Sequence, residues 1–329
     1  MEQAARMMGT QYENMVCIHC MTYNQEKYIE DTLKGFVMQK TDFPFIAVVF
    51  DDFSTDGTAD IIRRYEKEYP SIIKGVYLPE NYYSQRKSKL GLLKPFDATA
   101  KYVAICEGDD YWTDEYKLQK QVDFLEAHDD FVLCCTAFTL TYDGREDDKT
   151  VVRFDKDEIR LEDLLQEYWI GTLTTVLKSE LFTAFRRPFD DLPMSDLPLW
   201  CFLATKGRIK YLPDVTANYR QLSTSACHFV DPKKQYKFRL DAMRVREYYA
   251  QAAGKTAVAA PAFSKHAHFI LDECYRNGWL DFPMDRLWHF VEEYGHPSGY
   301  DRLKRWGLRS AFRLRLSKKL FDFLKRKVK

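Results

Sequence analysis

The chain has 329 residues, 46% of them hydrophobic and 15% aromatic, which excludes a disordered protein and leaves either one large domain or a domain with an appendage. Its 49 Lys/Arg and 49 Asp/Glu cancel unevenly: Asp301 to Lys329 holds 12 basic against 2 acidic residues, so residues 1–300 carry 37 against 47. An acidic body with a basic tail argues against nucleic acid as the body's partner.

Met1 to Asn14 is polar and has no apolar core, so no signal peptide is expected. Apolar runs such as Phe131 to Leu140 fall far short of the roughly 20 residues a bilayer crossing needs. The eight cysteines form no framework, and Cys17, Cys20, Cys106, Cys134 and Cys135 lie in apolar runs, as reduced buried thiols do. Cys17-Ile18-His19-Cys20 has the spacing of a zinc or redox half-site, yet it has no second pair and lies mid-strand, so it reads as core.

In chain order, Met15–Met21 reads as a first buried strand that runs into Thr22-Tyr23-Asn24. Ile29, Leu33, Phe36 and Val37 then recur at helical spacing. Phe45–Phe50 is a second, continuously apolar strand of the kind found at the centre of parallel sheets, and it ends in Asp51-Asp52-Phe53-Ser54-Thr55-Asp56-Gly57-Thr58. A helix carrying Ile61, Ile62 and Tyr65 follows, stopping by Pro70, and Ile72–Leu78 is strand three. A loop and helix lead to the fourth strand, Tyr102–Cys106, and then come Glu107-Gly108-Asp109-Asp110-Tyr111-Trp112. Asp114–His128 is an amphipathic helix and Phe131–Leu140 a fifth strand. Asp143–Asp157 reads as a charged loop, 161–169 as a helix, and Gly171–Leu177 as a strand dense in hydroxyls. Asp190 to Trp200 is a proline-punctuated loop opening a helix, with Ser195 or Asp196 as its N-cap. Arg208–Leu212 and Val215–Arg220 read as two strands, and helices dominate from Asp231 onward.

Strands alternating with helices at this rhythm predict an α/β domain with a mainly parallel sheet flanked by helices, followed by a helical C-terminal region. In such sheets the ligand crevice lies beyond the carboxyl ends of the strands. Tyr23/Asn24, Asp51/Asp52 and Glu107/Asp109/Asp110 all fall there. Three acids within four positions raise one another's pKa and become favourable when a hard divalent cation and its phosphate ligands share the charge.

The strand ending Met21-Thr22-Tyr23-Asn24, the Asp51-Asp52-x-Ser54-x-Asp56-Gly57-Thr58 motif, Glu107 to Trp112, Lys117-Leu118-Gln119-Lys120-Gln121-Val122, Ser195 to Trp200 and Tyr219-Arg220 follow one another in order. Together they resemble family 2 glycosyltransferases of the GT-A fold, over about residues 15–228. The resemblance implies a Rossmann-type GT-A domain over 1–228, with a nucleotide-sugar half at about 15–140 and an acceptor half at about 141–228. Residues 229–329 would then form a helical region with a basic amphipathic tail, 301–329.

That resemblance further implies inverting transfer of one sugar from a nucleotide-diphosphate sugar, a UDP-sugar first, to a saccharide or lipid-linked saccharide acceptor in cell-surface polysaccharide or glycolipid assembly. Tyr23, Asn24, Asp51, Asp52, Glu107 and Asp109 would bind the donor, Asp109 and Asp110 would hold Mg or Mn, and Asp196 would be the base, with Asp190 and Asp191 as fallbacks. Thr172, Thr174 and Thr175 would line the acceptor side. Leu222 stands where many relatives carry a metal- or phosphate-reaching histidine, which leaves His228 as its substitute. The Gln-x-x-Arg-Trp signature of processive synthases is absent, so single addition is expected.

The tail mixes Leu303, Trp306, Leu308, Phe312, Leu314, Leu316, Leu320, Phe321 and Leu324 with Arg and Lys, a pattern suited to an anionic bilayer surface or to packing on the body. The expected location is therefore cytoplasmic and peripheral on the inner membrane face. The rival readings are a nucleotidyltransferase, which wants a Gly-rich basic loop that Thr22 to Glu30 does not offer, and a catalytically silent nucleotide-sugar binding or scaffold protein.

Overall fold

The computed structural model describes residues 12–85, 87, 90–97, 99–142, 145, 149–166, 169–223 and 231–327. The chain divides into two compact units. The first comprises Met1–Arg160, Trp169–Arg186 and Phe202–Ser225; the second comprises Leu161–Tyr168, Arg187–Cys201 and Ala226–Lys329. Residues 161–168 and 187–201 thus group with the C-terminal helices, a discontinuous division where the sequence suggested one boundary near residue 228.

In chain order the elements are β1 (Asn14–Thr22), α1 (Ile29–Val37), β2 (Phe45–Asp51), α2 (Thr58–Glu68), β3 (Ile73–Tyr77), α3 (Leu90–Asp97), β4 (Ala100–Ile105), β5 (Tyr111–Trp112), α4 (Lys117–Ala127), β6 (Phe131–Tyr142), β7 (Thr150–Val152) and β8 (Glu158–Ile159). They continue with α5 (Leu161–Gln166), a 3-10 turn at Thr172–Thr174, β9 (Val176–Lys178), α6 (Ser179–Ala184), α7 (Asp196–Ala204) and β10 (Arg208–Gln221). The last five are α8 (Pro232–Ala252), α9 (Thr256–Asn277), α10 (Met284–Gly295), α11 (Gly299–Gly307) and α12 (Ala311–Lys327).

In the first unit the described strands form one ten-stranded sheet of order β3-β2-β1-β4-β9-β6-β10-β5, with β7 on β6 and β8 on β10. β3, β2, β1 and β4 run parallel, as do β6 and β10, whereas β9 is antiparallel to both its neighbours. β1 is buried on both faces, which is why it reads as an unbroken apolar run. Val16, Ile18 and Cys20 pack with Ile29, Leu33 and Phe36 of α1 on one face, and Cys17 packs with Val48 and Phe50 on the other. Fully burying a side chain such as Phe36 contributes about 1.5–3 kcal/mol. A Cβ on Gly35 would stand 2.9 Å from the Trp112 backbone nitrogen, so this glycine lets α1 close against β5.

Three sequence expectations change. Gly171–Leu177 is not a strand throughout: Thr174 Oγ1 donates to Gly171 O at 2.7 Å and Thr175 Oγ1 to Thr172 O at 2.8 Å. The hydroxyls satisfy the backbone locally, fold a 3-10 turn and delay the strand to Val176, so buried Thr174 and Thr175 do not line an acceptor surface. The two strands expected over 208–220 are one bent strand, β10, whose register against β6 shifts between Leu212 and Ala217, where Pro213 interrupts the ladder. Part of the charged loop after β6 folds back on it as β7.

In the second unit α8 begins at the Asp231 N-cap, whose carboxylate accepts from Lys233 N at 2.9 Å, with Pro232 in the first turn. α9 ends at Gly278, left-handed at φ 70°. Ser298 and Asp301 form a capping box for α11. The unit buries Leu240, Met243, Phe263, Ile270, Leu271, Leu287, Trp288 and Phe290. Arg246 Nε donates to Leu164 O at 2.8 Å and Lys255 pairs with Glu162, which fastens α5 to this unit. The tail comprises two helices, α11 and α12, and packs on α9 through Tyr275, whose hydroxyl donates to Ser317 Oγ at 3.1 Å and whose ring meets Phe321. Trp306, Leu316 and Leu320 remain exposed. No helix among the described residues is long and apolar enough to cross a membrane.

Candidate active site

Parallel pairing of β2, β1 and β4 brings their carboxyl ends to one edge of the first unit. Thr22 pairs with Asp51 in register, Asp52 N donates to Thr22 O at 2.9 Å, and on the other side Gly108 N donates to Met21 O at 2.9 Å. The two acidic segments therefore flank the end of a single strand.

The loops after β1 and β2 are stitched together. Asn24, left-handed at φ 51°, receives Thr55 N on its amide oxygen at 2.8 Å and donates its own backbone N–H to Ser54 Oγ at 2.9 Å. Asp56 accepts from Thr58 N at 3.0 Å and Thr58 Oγ1 at 2.6 Å, and these bonds hold its carboxyl below the ordinary range. Asn24 and Asp56 thus shape the loops. Asp52 is buried, and its two oxygens accept from Tyr82 N at 2.8 Å and Tyr83 N at 3.0 Å. Asp51 is also buried; Oδ2 accepts from Ser54 N at 3.3 Å. Tyr23 stands exposed at the end of β1, and so do Phe53, next to Asp52 in the chain, and Tyr83, whose backbone N–H bonds Asp52. Phe53 has φ 67°, a strained conformation for an aromatic residue.

The acidic turn is held from below and behind. Thr32 Oγ1 of α1 reaches the carbonyls of Gly108 and Asp110. A Cβ on Gly108 would collide with Gln25 and Thr22, so only glycine permits this close approach. Glu107 accepts from Thr172 Oγ1 at 2.8 Å. Asp110 is buried and accepts from Arg220 N at 2.8 Å; burial first, then Asp109 and Glu107, push its carboxyl well above the usual carboxylate range. Burial raises Asp109 too.

Three buried polar atoms at this edge have no hydrogen-bond partner: Thr22 Oγ1, Gln25 Oε1 and Asp51 Oδ1. Leaving such an atom unpaired costs about 1–3 kcal/mol, an arrangement a polar ligand relieves. Crowded carboxylates are the oxygen set a hard divalent cation wants, and the orphaned acceptor oxygens suit a ligand's hydroxyl or amide donors.

Arg220 is the residue whose part the sequence did not reveal. Its buried guanidinium donates to Asp31 at 2.6 Å and to Asp109 O at 3.1 Å, and it lies over the Tyr111 ring at 4.2 Å. Lys117 is a second. It is fully buried, donates to Gln121 Oε1 at 2.7 Å, lies 4.3 Å from the Trp112 ring centroid, and is lowered to about 7 by burial. Both residues stand in motifs visible in the sequence, the Lys117–Val122 run and Tyr219-Arg220, but neither motif told what the side chain touches. Leu222 is buried, and His228 lies outside the described residues.

Among the described residues, a three-ligand cluster does form elsewhere, from Cys17, His19 and Asp97. Strand alternation puts Cys17 and His19 on one face of β1 and Cys20 on the other. His19 and Asp97 already bond each other at 2.6 Å, and burial holds the Cys17 thiol protonated, so this is a satisfied core pair.

Asp196 lies in the second unit, half-buried in the first turn of α7, with burial raising its carboxyl. Asp191, in the same unit, is bound by Arg244 at 3.2 Å and Arg286 at 3.0 Å, which hold its carboxyl low. A carboxylate so held is a weak base. Asp190 is exposed.

Residues 17–187, about half of the chain, match the model of "Glycosyl transferase family 2". The chain belongs to glycosyl transferase family 2. This family 2 chain is 32% identical to an uncharacterised protein of Mycobacterium tuberculosis over 67% of its own length and 63% of that protein's, so it spans under two thirds of that relative. It is 30% identical to the putative teichuronic acid biosynthesis glycosyltransferase TuaG of Bacillus subtilis, over 66% of this chain and 82% of TuaG. Its fold matches that of Staphylococcus aureus TarS solved with UDP-GlcNAc, with TM-score 0.62 and 19% identity, over 92% of this chain and 88% of that one. That likeness shows a GT-A-type fold with a helical C-terminal region.

Proposed function

We propose that the chain transfers a single sugar from a nucleotide-diphosphate sugar to an acceptor hydroxyl, with inversion, in the assembly of a cell-surface polysaccharide or glycolipid. The observation that carries this reading is the crowding of Glu107, Asp109 and Asp110 at the same strand ends as the unpartnered oxygens of Thr22, Gln25 and Asp51. The kinship with TuaG supports the polysaccharide assignment, and the TarS complex makes a UDP-sugar the first choice of donor.

In this reading Tyr23 stacks on the base, while Asp51, with its open Oδ1, and Asp52 bind the nucleoside. Asn24 keeps their loop in place. Asp109 and Asp110 hold the cation and Glu107 supports them; Mg²⁺ or Mn²⁺ bound there would neutralise charge gathering on the departing diphosphate. On the acceptor side, the hydroxyl oxygen bonds to the anomeric carbon as the carbon–phosphate oxygen bond breaks, and Asp196 takes the hydroxyl proton. A base with a raised pKa suits that step near neutrality. The exposed apolar residues of the basic tail meet an anionic membrane surface.

Thermal unfolding with UDP-, GDP- and CMP-sugars, with and without Mn²⁺, tests the reading. A ligand that binds only the folded chain raises the melting temperature by mass action. Stabilisation by one nucleotide class, enhanced by Mn²⁺, is expected; no response to any of them overturns the reading.

A further inference from the structure

Within the second unit, α8 and α10 enclose a cleft of about 400 Å³, in the range of small-molecule sites of roughly 300–1,000 Å³. No residue assigned above to the donor or to proton transfer lines it. Its walls combine two kinds of group. Tyr248, 46% exposed, and Phe189, edge to face with it at 5.8 Å, supply aromatic surface, and buried Phe290 lies beneath. Glu247, Gln251 and His289 supply planar polar groups.

Glu247 is set up as an acceptor. Its side chain is only 14% exposed, and Oε1 accepts from Tyr294 Oη at 2.6 Å and meets His289 Nε2 at 2.7 Å. Both bonds fall on one oxygen, so Oε2 is left for a donor entering the cleft. The two arginines on the wall look like an anion site, but their charge is already answered. Arg244 binds Asp191 and, at 2.8 Å, Asp241; Arg286 binds Asp191. With Glu247, three carboxylates stand against two guanidinium groups, which leaves no net positive charge to receive a phosphate.

We propose that this cleft binds a neutral saccharide, a hexose or N-acetylhexosamine unit of the growing glycan. Aromatic faces attract the C–H faces of a pyranose through their negative π surfaces, and paired hydroxyls match planar carboxylate and amide groups. A mixed wall of this kind, with no net positive charge, fits a neutral sugar better than a nucleotide or an anionic lipid headgroup. The assignment of the sugar as acceptor rests on the transferase reading above; the binding itself does not.

The test uses the full chain on a printed array of neutral hexose and N-acetylhexosamine oligomers beside uronic-acid-bearing and phosphate-bearing ones. Binding to neutral oligomers is expected, weakened at least about tenfold by Tyr248→Ala and by Gln251→Ala, two exposed positions, with melting temperatures within a degree or two of the parent. A blank array, binding confined to phosphate-bearing oligomers, or binding unchanged in both variants overturns the proposal. A blank array with an intact nucleotide response removes the cleft and leaves the transferase reading. Array binding without any nucleotide response does the reverse.

Discussion

The backbone N–H of Arg220 donates to the Asp110 carboxylate at 2.8 Å, so a residue 110 positions later in the chain fixes an acid of the site. The same residue's guanidinium grips Asp31 and the carbonyl of Asp109. β10 thereby serves as the back wall of the acidic turn.

Arg220→Ala should therefore loosen the turn without removing an acid. We expect a loss of about 1–3 kcal/mol in chemical denaturation, the scale for unmaking charge-assisted hydrogen bonds whose partner Asp31 is half exposed. Nucleotide-sugar stabilisation should fall with it. Arg220→Lys keeps the charge but not the fork, and should recover only part of both. Full recovery by lysine would show that charge alone matters there.

Gly108→Ala tests the fit of the acidic turn. The added Cβ meets Gln25 and Thr22, so Gln25 must leave its place beside Asp109. The melting temperature without ligand should drop modestly, and the nucleotide-induced shift should shrink by more than half. An unaltered shift would place the donor away from this edge.

Asp196→Asn should lower kcat about 10²–10⁴-fold, the usual worth of a positioned base, while the nucleotide-induced melting shift persists. Because burial raises the Asp196 carboxyl, the acid limb of kcat against pH should lie above the ordinary carboxylate range. Asp191→Asn should keep kcat within a few-fold and instead lower stability, since it unpairs Arg244 and Arg286. The opposite pattern would exchange their roles.

Lys117 gives a pH signature. Its pKa is lowered to about 7 in the folded chain against about 10.4 unfolded, so the unfolded state binds more protons between those values. Its contribution to stability is therefore poorest below pH 7 and improves as pH rises towards 10. Lys117→Met removes that dependence: relative to the parent, the variant should gain most at pH 6 and lose that advantage by about pH 9.5, in urea denaturation. A constant difference across pH would mean that the lysine stays protonated in the folded chain and its pKa is not lowered.

The basic tail should carry the chain onto vesicles containing anionic lipid, in a manner lost as salt shortens the screening length from about 10 Å at 0.1 M to about 3 Å at 1 M. Leu316→Glu and Leu320→Glu, at exposed positions, should weaken sedimentation with those vesicles. Equal sedimentation with neutral vesicles, or none with anionic ones, would end the membrane assignment.

Much of this molecule is legible in order along the chain. β1, β2 and β4 announce themselves because parallel strands buried on both faces are apolar throughout, and the acids at their ends stand out against that background. The helix over 29–37 follows from the spacing of Ile29, Leu33 and Phe36. Gly171–Leu177 misled because hydroxyls that suit a strand surface also bond their own backbone, and the 3-10 turn at Thr172–Thr174 is the local winner. β5 and β7 escaped notice because two or three residues carry no period; they exist through pairing with β10 and β6.

By itself the sequence determined the order of the long strands and helices up to β6, the family, and which acids end which strands, since periodicity and motif spacing are local properties of the chain. Only the tertiary structure decided that Arg220 backs Asp110, that Asp191 is held by two arginines, and that residues 161–168 and 187–201 group with the C-terminal helices. Those outcomes depend on groups tens to hundreds of residues apart meeting in space, where burial and charge pairing set each pKa, and no local pattern encodes such meetings.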